Sequence, residues 1–516
     1  MASIHLSILY QDHMLLQREK PLTICGRADA PLRQITVVLG DVSASAPVQN
    51  GAFSCVLPPQ PAGEELTLSF YGDGGKTPLA VFSHVSLGDI WMACGQSNME
   101  FFLRYDAHWN DTRVIPRNPG IHMFNVPRIA YQGQKRVQPE CGRWFLEGDP
   151  AWPLFSAPGY SFARSLQPFL KAPVGIIGCN WGGTPASSWM EEESLSKPPL
   201  DIFLKEYQEA ASALPYEELK RQSQEGWAFE DSYRHQLEWR AMMYGLTWEE
   251  QLEWQREHSK DPVLPMGPWH QWRPCGLYHT MLKQLAGFSI KGILWYQGES
   301  DSGHADIYDQ TLTALIRSFR TLFQDPQLPF LMVQLAPFGK WLDCTGENYT
   351  LIRQMQEKVS RAVPGCHMVS IMDLGSYEDI HPKHKMEIGR RLALMARGEV
   401  YHEKVLCHSP ELFFCSRKGN TITLTFRHAR GGLFGDPSRR EAFRISPVPL
   451  VYPFSEETPL IPIKSMTIHE DRLFLTLENA PRSPLYLSFA QEDYCEVHLW
   501  NKAGLPIRPF SCQVPL

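Results

Sequence analysis

No excess of one charge marks this chain: 49 Lys and Arg stand against 56 Asp and Glu, a net charge of −7. That balance offers no basic footprint for nucleic acid, and neutral or weakly charged molecules are the more natural partners. Nowhere do 18 apolar residues run together, so no membrane-spanning helix is expected. The first residues, Met-Ala-Ser-Ile-His-Leu-Ser-Ile-Leu-Tyr-Gln-Asp, lack a positive n-region, a long apolar stretch and a small-residue cleavage site. A cytoplasmic chain is therefore the expectation, although a leader already removed would leave the same pattern. The 12 cysteines contain no C-x-x-C pair and no zinc-type spacing. They read as reduced, mostly buried small apolar residues. Internal repeats and low-complexity tracts are also missing.

What is there is a chain of 516 residues, 43% hydrophobic and 20% charged, a soluble globular composition too long for one ordinary core. Residues 1–88 carry short strand-like runs between Gly, Pro and Asp turns, the punctuation of a β domain. From 89 to 400 short apolar runs alternate with helix-like stretches. The strand-like runs are Ile90 to Cys94, Val174 to Cys179, Ile290 to Tyr296, Phe330 to Leu335 and His367 to Met372. Helical spacing covers Tyr160 to Leu170, Gly276 to Phe288, Asp306 to Phe323, Asn348 to Val363 and Lys385 to Ala396. Such alternation predicts a parallel, doubly wound α/β sheet, in which ligands sit outside the carboxyl ends of the strands. Residues 191–275 interrupt it with a helical insertion carrying six of the 15 tryptophans: Trp227, Trp239, Trp248, Trp254, Trp269 and Trp272. These are either core aromatics or platforms for a sugar face. From 401 to 516 the β signature returns.

The organising stretch is Trp91 to Glu100, Trp-Met-Ala-Cys-Gly-Gln-Ser-Asn-Met-Glu. Ser97 lies where a predicted strand gives way to a turn, and a serine becomes a nucleophile when a base takes its proton and N–H groups receive the oxyanion. By itself the serine could be a helix cap. Three further stretches come after predicted strands. Gly178-Cys179-Asn180-Trp181-Gly182-Gly183-Thr184 is a glycine-rich turn able to offer N–H groups to an oxyanion, or an ordinary strand-to-helix turn. Trp295-Tyr296-Gln297-Gly298-Glu299-Ser300-Asp301 brings a carboxamide that donates without charge, or caps the next helix. Glu378-Asp379-Ile380-His381-Pro382 places carboxylates beside an imidazole, an arrangement that can fix its tautomer.

Together these four segments resemble the SGNH hydrolases, and among them the sialate O-acetylesterase-like carbohydrate esterases. The resemblance rests on Gly95-Gln96-Ser97-Asn98-Met99, Asn180-Trp181-Gly182-Gly183-Thr184, Trp295-Tyr296-Gln297-Gly298-Glu299-Ser300 and Asp379-Ile380-His381-Pro382. It implies a flavodoxin-like three-layer α/β/α domain with a parallel sheet over 89–400, flanked by N-terminal and C-terminal β domains. It also implies no metal or organic cofactor and hydrolysis of acetyl esters on sugars. Carried over by position, Ser97 is the nucleophile and His381 the general base. The Ser97 N–H, an N–H of Gly182 or Gly183 and the Gln297 side chain, standing where many SGNH enzymes use asparagine, hold the oxyanion. Gln96, Asn98, Trp181 and Glu299 are the candidate substrate-binding residues. Many of these enzymes place the acid three residues before the histidine. Here that position is Glu378, and Asp379, two before, is the expected partner; a Ser-His dyad steadied by a carbonyl is a third arrangement. O-acetylated sialic acid is the first expected substrate, with Arg104, Arg143 or Arg273 able to meet its carboxylate. Acetylated xylan, mannan or xyloglucan fragments are the second. The rivals are an inactive carbohydrate-binding protein and a transferase passing acetyl to a second sugar. Oligomeric state is not legible.

Overall fold

A computed structural model describes residues 3–231, 245–258, 262–479 and 481–515. Its organising element is the strand Ala80–Gly95, 16 residues long and buried from Val85 onward. The first half pairs antiparallel with Gly63–Gly72. Its second half pairs parallel with Val174–Asn180 on one side and Gly292–Tyr296 on the other. The expected boundary at 88 therefore falls inside a strand, and residues such as Leu15, Ile35 and Phe70 share one apolar core with Trp91 and Trp295.

Across the central sheet the order is Trp144–Phe145, Ile121–Asn125, Val174–Asn180, Ala80–Gly95, Gly292–Tyr296, Phe330–Val333 and Cys366–Val369. The pairs are parallel except that of Trp144–Phe145 with Ile121–Asn125. With the antiparallel pairing of Gly63–Gly72, the sheet is mixed where a purely parallel one was expected. Both faces of the central strands are buried, which explains apolar runs in place of alternation. On either side of Ala80–Gly95 the crossovers lead in opposite directions, leaving a crevice beyond its carboxyl end, where Ser97 stands.

The predicted helices are present as Ala157–Leu170, Tyr308–Leu322, Tyr349–Ala362 and Lys385–Met395. The first starts earlier than its spacing suggested, because the Ser156 hydroxyl accepts the Gly159 N–H at 3.1 Å and Pro158 sits in the first turn. The predicted helix Gly276 to Phe288 is instead a wide π turn, Tyr278–Leu282, followed by a 3₁₀ turn, Lys283–Leu285. The described part of the insertion holds helices Glu192–Leu195, Ile202–Ala211, Tyr216–Glu230 and Trp248–His258. Trp239 lies outside the described residues. Past residue 410, among the described residues, three antiparallel sheets of four, three and two strands enclose a second core around Leu424, Leu475 and Leu487.

Candidate active site

Gly95 makes the turn out of the central strand. Its φ is +139°, and a Cβ there would lie 2.1 Å from the Tyr296 carbonyl oxygen of the neighbouring strand. Only glycine fits both conditions. Ser97 then opens the short helix Ser97–Glu100 at the wall of a cavity of about 640 Å3. The Ser97 Oγ lies 2.9 Å from His381 Nε2, across 284 residues of sequence. His381 is 8% exposed, and its ring stands edge-on to Trp341 at 5.4 Å. Asp379 Oδ1 accepts the His381 backbone N–H at 2.8 Å and lies 3.8 Å from His381 Nδ1. Burial raises the Asp379 pKa above the usual carboxylate value, opposed by the nearby Lys383 ammonium, whose Nζ is 3.4 Å from Oδ2. Glu378 is exposed. Of the two acids, Asp379 is the one the fold brings to the imidazole.

The loop carrying His381 is braced from beneath. Asn98 is 1% exposed, and its Nδ2 donates to the Ile380 carbonyl at 3.0 Å and to Glu299 Oε1 at 2.5 Å. Its Oδ1 accepts from Lys385 Nζ at 2.6 Å. Lys385 is fully buried, over the faces of Phe101 and Tyr296. Burial pulls its pKa down to about 7, against the pull of Asp379 and Glu299. Asn98, expected to touch substrate, is thus an internal strut and does not line the cavity, because its side-chain bonds point inward.

Two expected oxyanion donors are already engaged. Gln297 is fully buried; its Nε2 donates to Asp301 Oδ2, and its Oε1 accepts the Tyr308 hydroxyl at 3.0 Å. It does not line the cavity, since a buried carboxylate claims its amide. Burial raises that Asp301 carboxyl to about pKa 6, while the Ala186 N–H, 2.9 Å from Oδ2, and the Gln297 amide favour the ionised form. The Gly182 N–H donates to Glu100 Oε2 at 2.6 Å. Glu100 is in turn held by Arg128, which also holds Glu140, at 2.9 and 2.7 Å. The N–H groups of Ser97 and Gly183 have no hydrogen-bond partner among the described residues. Gln96, Trp181, Gly183 and Glu299 line the cavity. The Gln96 Oε1 accepts the Ser300 N–H at 3.2 Å, which fixes its side chain at the wall.

The tryptophans of the insertion divide. Trp227 is 4% exposed and donates to the Trp269 carbonyl, a core role, whereas Trp272 is 42% exposed and lies on the cavity against Gly183. Arg143 is committed to Asp149 through two bonds, and neither it nor Arg104 or Arg273 lines the cavity. Sequence reasoning missed Lys385, Arg128 and the cavity residues Trp341 and Asp343. The sequence Lys383-His384-Lys385 at the start of helix Lys385–Met395 displays its charges, but nothing in it says that one lysine is buried.

Residues 265–397 match the family described as carbohydrate esterase, sialic acid-specific acetylesterase. The match covers this segment of the chain. It contains the Gln297 and His381 stretches, and Ser97 comes to it from the earlier part of the fold. Sialate O-acetylesterase of Homo sapiens is 23% identical over 359 residues, 62% of this chain and 55% of the human protein. The chain thus spans about half the length of that relative. The Rattus norvegicus sialate O-acetylesterase is 24% identical over 417 residues, 75% of this chain and 68% of the rat protein. A crystal structure of a carbohydrate acetylesterase from Xanthomonas citri superimposes with a TM-score of 0.72 at 26% identity, covering 99% of both chains.

Proposed function

We infer that this chain is a serine esterase that removes acetyl groups from sugars through an acetyl-enzyme. The observation that carries the reading is the 2.9 Å contact of Ser97 Oγ with His381 Nε2 at the cavity wall. His381 takes the hydroxyl proton as Ser97 attacks the acetyl carbonyl. The tetrahedral oxyanion forms beside the N–H groups of Ser97 and Gly183. Collapse breaks the bond to the sugar oxygen, which leaves with the proton from His381 as the free alcohol. Water, deprotonated by the same imidazole, then attacks the acetyl-enzyme, and acetate leaves as the bond to Ser97 Oγ breaks and the imidazolium returns its proton to that oxygen. Asp379 orients the imidazole and offsets its positive charge. A binding module has no need of this pairing. The central strand order also supports the finer reading of a flavodoxin-like three-layer arrangement.

Relatives named sialate O-acetylesterase favour an O-acetylated sialic acid as substrate. One observation favours the second class, neutral acetylated oligosaccharides. Among the described residues, the cavity is lined by Glu100, Glu230, Glu299 and Asp343, with aromatic rings including Trp181, Trp272 and Trp341 and no Lys or Arg. Amphipathic rings stack on any sugar face, and among the described residues this lining offers a sialate carboxylate no Lys or Arg. The test is acetate release by wild type and Ser97→Ala from O-acetylated sialic acid and from acetylated xylo- and manno-oligosaccharides. Serine-dependent release from one class supports the esterase and selects its substrate. Release that survives in Ser97→Ala removes the reading.

A further inference from the structure

The chain leaves the catalytic sheet through a segment crowded with metal-binding side chains. Helix Lys385–Met395 runs into a wide π turn, Ala396–Val400, a distortion frequent at functional sites. Glu399 in that turn meets imidazoles and a thiol. His408 Nε2 lies 2.7 Å from Glu399 Oε1, His367 Nδ1 3.6 Å from Oε2, and Cys407 Sγ 4.0 Å from Oε1. The donor atoms of Glu399, Cys407 and His408 all lie within 4.8 Å of one another. Ligands around tetrahedral zinc, bound at about 2.0–2.3 Å, stand roughly 3.3–3.7 Å apart. The three donors thus stand within about an ångström of that spacing, and His367 reaches the cluster through Glu399.

We propose that Glu399, Cys407 and His408, with His367 as fourth donor, form a structural site for a divalent transition-metal ion of the zinc class. The donor chemistry selects the class: thiolate and imidazole favour zinc-like ions over magnesium or calcium. Burial raises the Cys407 thiol to about pKa 11, so it enters as a thiol and gives up its proton to solvent on binding. One thiolate and one carboxylate then balance the dication. Two lysines in the adjoining recess are committed elsewhere. Lys20 pairs with Asp325 at 2.8 Å, and Lys291 sits over the Tyr401 ring at 5.0 Å.

The position fits a clip, remote from the chemistry. The recess is bordered by Pro329, Pro364 and Gly365, just before strands Phe330–Val333 and Cys366–Val369, whereas Ser97 lies past the carboxyl end of the central strand. Cys407 and His408 begin the passage to strand Glu411–Lys418, and Asn501 Nδ2 donates to the carbonyls of His408 and His428 at 3.0 and 2.9 Å. A bound ion ties the end of the catalytic helix to the C-terminal β region.

Full-length protein stripped with a chelator is titrated with Co2+, whose thiolate complexes absorb in the near ultraviolet. One equivalent is expected to bind with that band and to be displaced by Zn2+. Cys407→Ser should lose the band, and Cys344→Ser, which changes an exposed thiol elsewhere, should keep it. His408→Ala should weaken Zn2+ at least tenfold in competition with a chromophoric indicator. A wild type without the thiolate band, a band that persists in Cys407→Ser, or undiminished Zn2+ affinity in His408→Ala overturns the proposal.

Discussion

Replacing Gln297 by Met tests whether its carboxamide serves the fold or the reaction. Methionine fills a similar space, so the main loss is the donor to Asp301 and the acceptor for Tyr308. A hydrogen bond to an ionised buried group contributes about 1.5–3 kcal/mol, a neutral one about 0.5–1.5 kcal/mol. Asp301 is raised from 3.8 to about 6 by burial, so the folded state holds its proton more tightly than the unfolded chain. Its contribution to stability is complete below about pH 4 and is lost as pH rises through 6, on the order of 3 kcal/mol at 1.36 kcal/mol per pH unit. Removing the Gln297 donor pushes the carboxyl higher still and extends that loss toward neutral pH. Urea denaturation of Gln297→Met against wild type should therefore show a deficit of about 2–3 kcal/mol at pH 7.5, shrinking to about 1 kcal/mol at pH 5. Acetate release per folded molecule should fall less than about tenfold. Unchanged stability with a loss of rate of about 100-fold to 1,000-fold, the cost of deleting an oxyanion donor, would refute this placement.

Ser97→Ala should abolish acetate release while shifting unfolding free energy by no more than about 0.5 kcal/mol, since among the described residues the lost hydroxyl bonds to His381 at the cavity wall. The rate of wild type should decline on the acid side as the His381 imidazole protonates, and a profile flat between about pH 5 and 8 would exclude it as the base. Arg128→Met removes the cation that Glu100 and Glu140, both nearly buried, share, and should cost about 3–5 kcal/mol in urea denaturation; an effect under about 1 kcal/mol would show that the two carboxyls are neutral. Gly95→Ala should yield little soluble protein, because its Cβ would meet the Tyr296 carbonyl; normal expression of a folded variant would contradict the tight turn.

Local chemistry in the sequence determined which stretches form the central strands and which residues follow them, while two of those strands stop two or three residues short of their apolar runs, at Val333 and Val369. Gly95 before Ser97 is a backbone requirement, and the apolar runs at 90–94, 174–179 and 330–335 name strands because only buried strands dispense with alternation. Ser97 at the end of such a strand and His381 in the loop after another were legible as residue types. Their 2.9 Å contact belongs to the tertiary structure, since it joins segments 284 residues apart. The same holds for the choice of Asp379 over Glu378, which depends on which carboxylate the loop turns inward beside the imidazole. Gln297 and Asn98 show the limit most clearly. Each is a polar side chain in a motif, and whether it faces substrate or the interior is decided by partners elsewhere: Asp301 and Tyr308 for one, Glu299, Ile380 and Lys385 for the other. A buried polar group goes where its hydrogen bonds are satisfied, and that accounting closes only in three dimensions.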